Sequence, residues 1–183
     1  AFASPGCIAS CLNTAGRGVF SKVQAARLAK TQRLTNPETR SAFLWDIEHS
    51  IRILLRRADA AGLTPLVRLN GTSDIPWENV RMSDGSTLLE KFPGVQFYDY
   101  TKNPARMRRF LRAQGSVRGD WPRNYHLTFS RAECNDLDCA LFLGMGCNGA
   151  IAFDVPKGKP LPIEAAGFPV APADKKTLFA SAV

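Results

Sequence analysis

Short apolar runs that stop abruptly in polar clusters recur along this chain, and helix-like stretches follow them. Leu66-Val67-Arg68-Leu69 runs into Asn70-Gly71-Thr72-Ser73-Asp74, and Val95-Gln96-Phe97-Tyr98 runs into Asp99-Tyr100-Thr101-Lys102-Asn103. Tyr125-His126-Leu127-Thr128-Phe129 ends in Ser130-Arg131-Ala132-Glu133, and a fourth run, Ala150-Ile151-Ala152-Phe153, ends in Asp154. Strands that alternate with helices pair in parallel through right-handed crossovers, so all their carboxyl ends lie on one rim. Four strands are too few to close a barrel. The pattern therefore predicts an α/β fold: an open parallel sheet or part-barrel of about four to six strands with helices outside.

The helices have their own signals. Val19, Val23, Ala26 and Leu28 recur at helical spacing over 19–34, with Lys22, Arg27, Lys30 and Arg33 between them. Asn36 then caps a second helix, with Pro37 at its first position and Glu38 in its first turn. Phe43, Leu44, Ile47, Ile51, Leu54 and Leu55 form its apolar stripe, and Gly62 ends it. Shorter helices are expected over 86–92, 133–144 and 175–182. A basic helix over 103–114 buries Met107, Phe110 and Leu111. The predicted organisation is a cysteine-bearing loop over 1–16, one α/β domain over 17–155, and an irregular proline-rich tail over 156–183.

Composition fits one globular domain: 183 residues, 45% hydrophobic and 22% charged. The net charge of +8 admits an anionic partner, nucleotide or nucleic acid. No apolar stretch is long enough to span a bilayer, so no membrane partner is expected. Five cysteines, an odd number, fit a reducing cytoplasm better than a disulfide framework. There is no HExxH, no phosphate-binding Walker loop and no GxGxxG. His126 alternates within a strand and His49 sits on a charged helix face, so neither marks a triad.

Candidate chemistry gathers in three places. On the rim, Asp74 and Lys102 are the candidate catalytic pair, the first as base or hydroxyl ligand, the second as fixed cation. Asn70, Ser73, Tyr100, Ser130 and Arg131 are the candidate substrate contacts. Turn and helix capping is the competing explanation for Asn, Ser and Asp after strands, and Ser130-x-x-Glu133 has the form of a capping box. Arg106, Arg108, Arg109 and Arg112 make the basic helix a candidate nucleic-acid face. Cys7 and Cys11, four apart in a loop, are candidate metal ligands.

These segments together resemble the phage-encoded gene product eighty-eight family and its prophage relatives. The resemblance rests on Ser4-Pro5-Gly6-Cys7-Ile8-Ala9-Ser10-Cys11-Leu12-Asn13, on Arg68-Leu69-Asn70-Gly71-Thr72-Ser73-Asp74, on Tyr98-Asp99-Tyr100-Thr101-Lys102-Asn103-Pro104, and on Leu127-Thr128-Phe129-Ser130. The family looks like a distant cousin of radical-SAM part-barrels. That implies an iron-sulfur cluster at Cys7 and Cys11, S-adenosylmethionine as cofactor, and the cytoplasm of an infected or lysogenic bacterium as location. A radical-SAM loop places a third cysteine where this chain has Thr14. Three functions stay open: an iron-sulfur enzyme acting on a nucleotide or nucleic acid, a non-catalytic nucleic-acid-binding protein, and a virion structural or interaction protein.

Overall fold

The expected parallel sheet forms. A computed structural model describes residues 4–9, 16–114, 120–153, 155–156 and 158–171. Four strands, β1 (Leu66–Val67), β2 (Gln96–Thr101), β3 (Tyr125–Ser130) and β4 (Gly149–Ala150), stand in sequence order and pair in parallel throughout. Phe97 lies opposite Tyr125 and Thr101 opposite Phe129, so β2 and β3 form the long central pair. The outer strands are short because the ladder reaches only Val67 on one side and Ala150 on the other.

Alternation along the central strands decides what each face holds. Phe97, Asp99, Thr101, Tyr125, Leu127 and Phe129 are buried. Tyr98, Tyr100, His126, Thr128 and Ser130, one residue out of phase, are half-buried. The buried set packs with Leu88, Leu89, Met107, Phe110, Trp121 and Phe142 into one core.

Among the described residues six helices accompany the sheet: α1 (Pro5–Ala9), α2 (Ser21–Thr35), α3 (Pro37–Ala60), α4 (Leu88–Lys91), α5 (Pro104–Gln114) and α6 (Asp136–Gly144). The start of α3 follows its sequence signals: Asn36 Oδ1 accepts the Glu38 amide at 2.9 Å. Its end follows too. Gly62 takes φ +62° while the amides of Gly62 and Leu63 return to Asp59 and Ala58. Leu44, Ile51 and Ala58, spaced by seven, are its buried positions.

Three local expectations change. Pro5–Ala9 is a helical turn where a loop is predicted, and a 3-10 turn over Gly16–Val19 precedes α2. The proline-rich region carries a small antiparallel hairpin, β5 (Glu164–Ala165) with β6 (Phe168–Pro169). It closes through Ala166 and Gly167, both at positive φ, which is the turn geometry that matches strand twist. Ser130 and Glu133 form no capping box. Helix α6 begins later, after Asn135, and Glu133 bonds elsewhere. The box that does form joins Thr87 and Glu90 at the start of α4. The helix predicted over 175–182 and the fourth-strand terminus Asp154 lie outside the described residues.

Candidate functional site

Because β1 and β2 run in parallel, the segments that follow them meet at one end of the sheet, and a buried polar network joins them to Tyr125 of β3. Its hub is Asn70, which has no exposed surface. The Asn70 amide and side-chain NH2 donate to the two Asp99 carboxylate oxygens at 3.1 and 3.0 Å. Asn70 Oδ1 accepts from Ser73 Oγ, the Ile75 amide and Trp77 Nε1. The Tyr125 hydroxyl donates to Asp99 at 2.7 Å and accepts from Arg106 at 2.8 Å. Arg106 then grips Glu78 with two bonds, at 2.9 and 2.7 Å, and Asp74 with a third at 2.7 Å. Among the described residues no buried side-chain nitrogen or oxygen lacks a partner. A low-dielectric network of this kind is rigid when every member is satisfied.

Electrostatics follow from burial. Burial pushes the Asp99 carboxyl up to about 6, against the lowering pull of the Tyr125 hydroxyl and the Asn70 amide. Burial opposes the charge of Arg106, yet Glu78 above all raises its pKa on balance. The Tyr125 hydroxyl is raised as well, by burial first and then by the Asp99 charge. His126 is held below its usual range by burial, with Asn148 Nδ2 3.4 Å from its Nε2 and the Phe110 ring edge-on.

A pH test follows. The folded protein holds the Asp99 proton more tightly than the unfolded chain, whose value is 3.8. The stability this confers is complete below 3.8 and is lost as pH rises through about 6. A difference of that size between the folded and unfolded chain is worth about 3 kcal/mol. Urea unfolding across that window should therefore show stability falling with pH, and Asp99→Asn should flatten the fall. An unchanged fall in the variant would assign it to another group. Glu48, Glu90, Glu133 and Asp136 are shifted the other way, so their contributions are lost as pH falls.

The structure brings Asp74, Lys102 and Ser130 together on the rim. Asp74 accepts from Thr101 Oγ1 at 2.8 Å and from the Lys102 amide at 3.3 Å, and Lys102 Nζ donates to Ser130 Oγ at 3.2 Å. Ser73 stands beside them, tied to Asn70. Asn70 itself is placed under the rim, where it shapes the loop rather than facing outward. The half-buried Tyr100 lies under the Arg68 guanidinium, 4.6 Å from the ring centroid. Arg131 is exposed and paired with Asp136 at 2.6 Å.

The basic helix is only partly a cationic surface. Arg106 is 7% exposed and belongs to the network, a correction to its place among the nucleic-acid contacts. It is the residue that α5 needs to pair the buried Glu78. Arg108 pairs with Asp138, Arg109 with Asp120, and Arg112 bonds the Arg108 carbonyl.

The cysteine segment reaches the same end of the sheet. Ser4 Oγ and the Gly6 amide both donate to Glu133, just past β3. A side chain at Gly6 would meet the Glu133 carboxylate at 2.7 Å, so the flexible Glu133 side chain would have to shift. The Ser4 hydroxyl and then the local amides hold the Glu133 carboxyl below its usual range, and the Lys102 charge adds to them. The Cys7 side chain and all of Cys11 lie outside the described residues, as does any geometry for an iron-sulfur cluster. Among the described residues no group of three or more His, Cys, Asp or Glu is arranged to hold a metal ion.

One concavity has no counterpart among the sequence expectations. Helix α2 buries only Leu34 and contains no acidic residue. It leans on α3, where Arg33 pairs with Asp46 and lies over the Phe43 ring. Between these helices, the edge strand β1 and the loop after it runs a groove of about 880 Å3. Arg27, Lys30, Arg33 and Arg68 line it against a single carboxylate, Asp46. Gly71, Thr72 and Ser73 bring it to the rim, and Phe43, Ile47, Leu54, Leu66, Leu69 and Ile75 supply apolar lining. The signal in the sequence was the acid-free run of 21–35.

No helix of the described residues is long and apolar enough to cross a membrane. No curated protein and no solved structure matches the chain, and the likeness to radical-SAM part-barrels finds no support. A family model described as Gene product 88 matches residues 1–180, and the chain therefore belongs to this phage gene-product family.

Proposed function

We propose that the protein is a nucleic-acid-binding protein of its phage family, with its contact surface in the groove between α2, α3 and β1. The observation that carries this reading is the charge of the groove: four cations and one carboxylate line it, that carboxylate is paired to Arg33, and Arg68 also lies 3.8 Å from the buried Asp99. Cations on one rigid helix beside a glycine-bearing loop suit phosphate oxygens. The position also agrees with the rule that open α/β sheets take their ligands beyond the carboxyl ends of the strands. The rim residues support binding more than catalysis. Both Asp74 oxygens already accept hydrogen bonds, one from Thr101 and one from Arg106.

Photocrosslinking tests the location. An oligonucleotide carrying thiothymidine should crosslink to peptides containing 27–33 and 70–73. Crosslinks confined to α5 would move the surface to Arg108 and Arg112, and an absence of crosslinks at low salt would remove nucleic acid from the account.

A further inference from the structure

The groove is amphipathic: three of its four cations lie on α2, and the fourth, Arg68, lies among the apolar residues of the β1 side. Arg27, Lys30 and Arg33 recur every third residue of α2, each about 4.5 Å further along the axis. They form one cationic bank. The rest of the lining is largely apolar, with Leu54 on α3 and Leu66 and Leu69 on the β1 side. The bank and the apolar wall meet at Phe43, whose ring already stacks under the Arg33 guanidinium at 5.1 Å.

A duplex presents phosphates outward and hides the faces of its bases. It could touch the cationic bank but would leave the apolar wall wet. A single strand offers both a charged backbone and uncovered base faces, which stack or pack on apolar and planar side chains. An acidic peptide would match the charge but does not carry a flat face beside every anionic group, as a single strand does. Resting on the nucleic-acid reading above, we infer that the groove binds single-stranded nucleic acid, with its phosphates on α2 and its bases against the wall formed by α3 and β1.

Fluorescence anisotropy of the full chain tests this with an oligothymidylate of about 16 nucleotides and a duplex of the same length. The single strand should bind roughly tenfold more tightly than the duplex at equal salt. Leu54→Ala removes apolar wall without touching charge. It should weaken single-strand binding severalfold and leave the salt dependence unchanged, with a far-UV spectrum like the parent's. Duplex binding as tight as single-strand binding would overturn the inference and leave the nucleic-acid reading standing. Binding of neither would overturn both. Displacement of the oligonucleotide by polyglutamate as readily as by unlabelled oligothymidylate would show that charge alone is recognised, and would also overturn it.

Discussion

Arg106→Met should destabilise the fold by about 3–5 kcal/mol, the cost of leaving buried partners without their counter-charge. Methionine keeps the length and apolar stem of arginine but donates nothing. The Glu78 side chain, 2% exposed, would lose both hydrogen bonds that satisfy it. Asp74 would lose its ion pair, and the Tyr125 hydroxyl the bond it accepts. For a domain of this size the melting temperature should fall by about 10 °C or more. Arg108→Met is the matched comparison, since Arg108 sits on the same helix in an exposed pair with Asp138. It should move stability by less than about 1 kcal/mol. Arg106→Met with Glu78→Leu should recover part of the loss, because the double variant removes the buried Glu78 carboxylate and leaves only Asp74, whose side chain is 32% exposed, as a carboxylate without its partner. Equal effects of the two single methionine variants would mean that the Arg106 network does not organise this end of the sheet.

That network shows which parts of the molecule were legible in the sequence. Helix α3 was readable from end to end because its signals are local: Asn36 and Pro37 at the start, a stripe with spacings of three and four, and Gly62 at the stop. The central strands were readable because apolar runs ended in turn chemistry. The parallel order followed from the strand-helix alternation. Residues whose role depends on distant partners were misread. Asn70 looked like a rim ligand because Asn-Gly-Thr-Ser marks an exposed turn, yet its partners Asp99 and Trp77 fold over it. Asp99 and Glu78, both buried, gave no signal, since a carboxylate in a polar cluster reads as exposed. Arg106 carried a clue: it is four residues before Phe110, which places both on the inner stripe of α5. Ser130 and Glu133 have capping-box spacing, but Glu133 is taken by Ser4 and Gly6 from the other end of the described chain.

The groove was illegible for a stronger reason. Its walls come from α2, α3, β1 and the loop after β1, and no local pattern announces that four segments will enclose one concavity. What the sequence offered was charge without location. The +8 net charge could have been spread over every helix, and α5 looked like its densest site. The fold redistributes it. Arg106, Arg108 and Arg109 of α5 are matched by Glu78, Asp138 and Asp120, while α2 brings cations to a lining with one acid.

The central claim, that phosphates bind in this groove, is tested most directly by two charge reversals on the same helix. Lys30 lines the groove, whereas Lys22, on α2 but absent from that lining, carries the same charge. Lys30→Glu and Lys22→Glu change the net charge equally. Both positions are exposed, so neither should unfold the protein. Salt titrations of oligonucleotide affinity should show Lys30→Glu weakening binding by about tenfold at low salt. The slope of log affinity against log salt should fall by about 0.7 for each phosphate of a single strand that the protein no longer neutralises. Lys22→Glu should keep the parent slope and lose at most about twofold, through the general field alone. Equal losses and equal slopes in the two variants would contradict the account, because they would show that the nucleic acid responds to net charge and not to the groove.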